Sequence, residues 1–156
     1  MPRRALLVAA ALALTPAGVL AAARADAGPS TRAPRVLRLV AQPTGDGQVD
    51  NPPSGISVGD EFFEHGVITG RAGRRLGHYA LTTQLVAGNA SHGTEQSTVT
   101  VFLRGGQLVT AGGHATVDRF SMAVAGGTGR YAGARGTVAI APGPHHTEHA
   151  TVRLEG

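Results

Sequence analysis

Beyond position 30 no window of a dozen residues holds the i, i+3, i+4, i+7 apolar spacing of a surface helix; short β-branched or alternating runs separated by glycine-rich punctuation stand in its place. That pattern restricts the chain to folds built from strands. Eight runs qualify: Val36 to Ala41, Asp60 to Thr69, Leu76 to Ala87, Thr94 to Leu103, Gln107 to Thr116, Arg119 to Ala125, Arg135 to Ile140, and Thr147 to Leu154. Val99, Val101 and Leu103 share one side of their run while Thr98 and Thr100 share the other, and Phe120, Met122 and Val124 face away from Arg119 and Ser121. A two-residue period of this kind belongs to half-buried antiparallel strands. The segment from Pro43 to Val58, rich in proline and glycine, predicts a long loop of the sort that serves as a lid or binding element at a barrel mouth.

With no helix to cover a sheet face, eight strands suggest a sandwich or a closed barrel. Closure removes the exposed edges that invite aggregation. An eight-stranded barrel is either filled by its own side chains or just wide enough for one small ligand.

Residues ahead of these runs read as a secretory signal peptide: Arg3 and Arg4, an apolar stretch interrupted by Pro16 and Gly18, and a small-residue site ending in Ala25-Asp26-Ala27. Cleavage there would divide the chain into residues 1–27, a signal peptide, and residues 28–156, one secreted domain without stable membrane insertion. That domain is only mildly basic. Its one tight cationic cluster, Arg71, Arg74 and Arg75, sits among glycines with no interleaved aromatics, which predicts a solvated loop and no nucleic-acid partner. The chain has no cysteine, so its stability rests on packing and sheet hydrogen bonds. Asn89-Ala90-Ser91 is a formal glycosylation sequon.

Gly127-Thr128-Gly129-Arg130-Tyr131-Ala132 satisfies the dinucleotide string G-x-G-x-x-G/A, with Glu148 some way beyond it. That chemistry needs a helix directly after the glycines, because the helix N-terminus holds the pyrophosphate. Gly133 and Gly136 interrupt any such helix at about 1 kcal/mol each relative to Ala, and Pro142-Gly143-Pro144 ends it. A strand connection accounts for every residue: the paired glycines Gly126 and Gly127 supply positive φ for a turn or bulge, Tyr131 covers it, and Arg135 reaches carbonyls or a carboxylate.

The whole stretch Gly126, Gly127, Thr128, Gly129, Arg130, Tyr131, Ala132, Gly133, Ala134, Arg135, Gly136 resembles the signature of the dirigent and allene oxide cyclase barrel superfamily. Gly55 to Phe63 and Arg104 to Leu108, with Gly112 following, fit the same pattern, so the resemblance runs from about Val36 to Leu154. It implies an all-β, eight-stranded, antiparallel, calycin-like barrel, a homodimer or homotrimer, with an apolar cavity. It also implies cyclase or isomerase chemistry on an unsaturated fatty-acid epoxide, or stereoselective coupling of phenoxy radicals. The cysteine of the plant cyclase pocket has no counterpart in this chain.

His145-His146-Thr147-Glu148-His149 matches H-x-x-E-H, a zinc motif that works on a helix. In an extended segment the outer histidines would stand roughly 13 Å apart, too far for one ion with bonds of about 2 Å. No metal and no cofactor is therefore expected. Acid and base candidates are Asp60, Glu64, His65 and His78, each with a bland alternative: Asp60 capping a loop, and Glu64 and His65 lying on opposite faces with at least one in solvent. A carboxylate inside an apolar barrel would have its pKa raised and could deliver a proton. The expected partner is a small apolar molecule whose cyclisation, isomerisation or coupling the barrel directs. A lipocalin-like carrier without catalysis is the alternative, and a structural barrel with a filled interior is the third reading.

Overall fold

The computed structural model describes residues 35–89, 91–116 and 119–155. The proposed signal peptide lies outside the described residues. From residue 35 the chain forms eight strands: β1 (Arg35–Val49), β2 (Glu61–Gly70), β3 (Arg75–Ala87), β4 (Thr94–Leu103), β5 (Gly106–Ala115), β6 (Phe120–Gly127), β7 (Gly136–Pro142) and β8 (Glu148–Leu154). Each pairs antiparallel with its sequence neighbour, and β1 pairs with β8 from Arg35↔Leu154 to Ala41↔Glu148, so the sheet closes into a barrel.

Alternation decides what fills it. Tyr79, Val101, Leu108, Met122, Val138 and Val152 come from successive strands, point inward and are buried together with Leu39 and Ile68. Each side chain fully removed from water contributes about 1.5–3 kcal/mol before entropy is counted. Val99 and Leu103 pack against this core from β4, and Phe120 from β6.

The loop expected from Pro43 to Val58 is shorter. β1 continues through Pro43 to Val49, pairing with β2 as far as Val49↔Glu61, with a register shift between Pro43 and Gly45. β8 accompanies β1 only to Ala41. Pro43 therefore lies where β1 has one partner and an open edge, beside a bulge, the setting in which a residue lacking an N–H is tolerated in a sheet. The connection that remains is held by Asp60: its carboxylate accepts the Asn51 N–H at 2.8 Å and the Ser57 N–H at 2.9 Å. Its carbonyl accepts the Leu85 N–H at 3.0 Å.

Between β6 and β7 the glycine stretch forms a single 3-10 turn, Gly129–Tyr131, and no α-helix. Positive φ falls at Gly129, Gly133 and Gly136 rather than at the Gly126-Gly127 pair. Gly127 is required for space instead: a Cβ there would meet the Gln107 carbonyl at 2.5 Å and the Tyr131 carbonyl at 2.6 Å. Gly129, with φ of 58°, lies against the Gly105 carbonyl, which also accepts the Arg130 N–H at 2.9 Å. The Gly126-to-Gly136 stretch and Arg104-Gly105-Gly106 thus interlock. Tyr131 drops into the core at this end, and Arg135 Nη1 donates to the Ala125 and Ala134 carbonyls at 3.2 and 3.1 Å.

Candidate functional site

The inward side chains do not fill the barrel. They leave a cavity of about 320 Å³ walled by Ile68, Leu81, Val99, Val101, Met122 and Val138, with Leu39 and Leu108 among the deeper contacts. Its size lies at the lower end of the roughly 300–1,000 Å³ of small-molecule sites, and its mainly apolar wall with a few polar groups is typical of them.

The polar groups gather toward the end where β3 turns into β4, β5 into β6 and β7 into β8. Thr83 Oγ1 and Ser97 Oγ are 2.8 Å apart, Ser97 Oγ and His114 Nε2 are 2.8 Å apart, and His114 Nδ1 lies 2.9 Å from the Ala115 carbonyl. With Nδ1 donating to that carbonyl, Nε2 is the acceptor of the Ser97 hydroxyl, which frees Ser97 Oγ to accept from Thr83. The ring of His114 stacks on Phe120 at a centroid distance of 3.8 Å. Glu95 stands 3.8 Å from His114 Nδ1 and accepts the Thr116 hydroxyl at 3.3 Å.

On the same strand as Thr83, Tyr79 donates its hydroxyl to Glu64 Oε1 at 2.6 Å. Burial first, then the Glu64 hydrogen bond and the charges of Glu64 and Glu148, push the phenol above its ordinary range, so Tyr79 stays a donor. Glu148 lines the cavity from β8. Burial raises its carboxyl above the usual range, the charge of Glu64 adds to this, and His114 opposes it. The site thus sets a carboxyl that favours its proton beside an apolar space.

No protein-family model matches the sequence, and no curated protein does. Solved structures do match. A pyocyanin demethylase superposes with a TM-score of 0.70 at 19% identity, covering 77% of this chain and 99% of that one. AbnU, an exo-specific intermolecular Diels-Alderase, gives a TM-score of 0.62 at 14% identity over 80% of this chain and 100% of that one. A pterocarpan synthase dirigent protein gives 0.62 at 15% identity, covering 79% and 95%. The chain shares the closed eight-stranded barrel fold of these proteins.

Within this barrel the four acid and base candidates part company. Glu64 shares the inward face of β2 with Ile68 and is tied to Tyr79, which lines the cavity where Glu64 itself does not. Asp60 is fully buried but spends its carboxylate on backbone N–H groups outside the cavity. His65 is exposed, and His78 lies on the outer face, stacked on Phe102 at 4.4 Å. The histidines of the H-x-x-E-H string occupy a hairpin: His145 and His146 have φ of 56° and 57°, His149 is exposed on β8, and the motif's helix does not form. Only its Glu148 reaches the cavity.

Glu95 and His114 escaped the sequence reading although the signal was present. Two steps back from Val99 on its own face lie Ser97 and then Glu95. The face of Leu108 and Thr110 leads through Gly112 to His114, where the Gly112-Gly113 pair masks the alternation.

Proposed function

We propose that this barrel binds a small apolar, unsaturated molecule and steers its cyclisation or coupling, with Glu148 as the assisting acid. The observation that carries the reading is the apolar cavity with a half-buried carboxyl biased toward its protonated form at one end. The β-barrel wall holds a flexible substrate folded in a near-attack conformation, which converts lost chain freedom into rate. The Glu148 carboxyl donates a hydrogen bond to a carbonyl or epoxide oxygen, stabilising charge that grows on it in the transition state. Tyr79, committed to Glu64, adds a fixed hydroxyl to the cavity wall. The names of the three similar structures describe a demethylase, a Diels-Alderase and a dirigent synthase, and two of those three direct bond formation, which favours this reading over demethylation. Export with cleavage after Ala27, and assembly as a dimer or trimer, belong to the same proposal; N-terminal sequencing and intact mass of the secreted protein test them.

Chiral product analysis tests the chemistry. The protein is incubated with unsaturated fatty-acid epoxides and with diene–dienophile pairs. Turnover with an enantiomeric excess that buffer lacks is expected, reduced about 10²-fold or more in Glu148→Ala. Uptake of these molecules without any stereochemical bias would replace the enzyme with the carrier reading. Neither uptake nor bias would remove both.

A further inference from the structure

The opposite end of the barrel is built differently. There β1 begins, β8 ends, and the connections β2–β3, β4–β5 and β6–β7 surround a second concavity of about 530 Å³. Its floor is apolar, formed by Leu37, Leu103 and Tyr131, and its rim carries Arg35, Arg74, Arg75, Arg104 and Arg130. All five arginines are exposed, and among the described residues none of them is ion-paired.

Four segments far apart in sequence contribute to this rim, so no local charge run accounts for it. The three connections, residues 71–74, 104–105 and 128–135, contain no Asp or Glu. Like charges converging on one concave surface repel one another and add nothing to folding. Two of them are nonetheless positioned: the guanidinium carbons of Arg35 and Arg130 lie 5.6 and 5.9 Å from the centroid of Tyr131, a ring 6% exposed and locked into the core. Arg130 is set further by its N–H bond to the Gly105 carbonyl. A planar fork with five donors is suited to tetrahedral oxyanions.

We propose that this bowl is a second binding site, for a small amphiphilic organic anion: its phosphate or sulfate head sits among the arginines and its apolar part lies on Leu37, Leu103 and Tyr131. Neither half suffices alone, since a bare oxyanion leaves the floor wet and a neutral apolar molecule leaves the cations unmatched. The site opens at the other end of the barrel from the cavity that holds Glu148, with Leu39 the one residue common to both linings.

Tyrosine fluorescence tests this directly, because the chain has two tyrosines and no tryptophan. In the Tyr79→Phe protein, Tyr131 is the sole reporter. Octyl phosphate below its micellar range is expected to change that signal saturably at one per chain, and octanol and inorganic phosphate each to bind at least about tenfold more weakly. Arg104→Gln and Arg130→Gln, at exposed positions, should each weaken octyl phosphate binding about tenfold, the size of one lost charge-assisted hydrogen bond. Rising salt should weaken it further. If octyl phosphate binds no better than octanol, or if both arginine variants bind it unchanged, the proposal is overturned. Binding to phosphatidylglycerol vesicles without binding to octyl phosphate would overturn it in favour of a membrane surface. An empty cavity with an occupied bowl would defeat the proposed function and leave this site standing.

Discussion

Glu148 favours its proton because burial and the Glu64 charge both oppose ionisation. Its folded pKa stands above the unfolded one, so the native state binds more protons, and stability falls as pH rises from the ordinary carboxylate range through the raised value. Glu148→Gln, neutral at every pH, should therefore be more stable than the parent at neutral pH and lose that advantage below the ordinary carboxylate range; thermal melts at pH 3 to 8 check the sign. Glycines offer a second contrast. Gly129 and Gly133 both have positive φ, but a Cβ on Gly129 would strike the Gly105 carbonyl while one on Gly133 meets open space. Gly133→Ala should cost about 1 kcal/mol, from backbone strain alone. Gly129→Ala should cost roughly 3 kcal/mol or more, from strain and overpacking together, measured by denaturant unfolding. At this scale the alternation that sets Glu64 and His65 on opposite faces was legible, as was the loop-capping alternative for Asp60; its partners Asn51 and Ser57 were not, because those bonds depend on a loop path that composition does not fix.

Strand β4 illustrates what periodicity conveys: Val99, Val101 and Leu103 face inward as the alternation requires, and the same alternation continues to Ser97 and Glu95 at the polar end. Strand β1 illustrates where it fails. Pro43 and the glycines after it carry the local signal of a loop, while the extended state of Gly45 to Val49 comes from pairing with His65 to Glu61, a partner distant in sequence. The β1–β2 connection is fastened to β3 through Asp60, whose two backbone N–H bonds have no replacement in a buried site. Asp60→Ala should destabilise the protein by about 2–4 kcal/mol. Limited proteolysis should then cut first between Asp50 and Gly59, with the parent resistant under the same conditions.

For the barrel as a whole, closure through β1 and β8 creates an interior, and the charges divide between its ends. Glu95, Glu148 and His114 line the cavity, with Glu64 bound to the lining Tyr79, and the arginines ring the bowl. Eight alternating runs without a helix left a sandwich or a closed barrel, and the resemblance carried by the Gly126-to-Gly136 stretch pointed to the barrel; the residual space was not legible, because it depends on how Leu39, Tyr131 and Met122 share the core. Met122 provides the most direct test of that space. It is the one methionine besides Met1, and it lines the cavity. In protein labelled with [¹³C-methyl]methionine, titration with a linear polyunsaturated alcohol should shift the Met122 methyl resonance saturably, at one ligand per chain, and Met122→Trp should abolish uptake. A Met122 resonance that stays in place while the ligand is shown to bind elsewhere, or not at all, would contradict a ligand-binding interior.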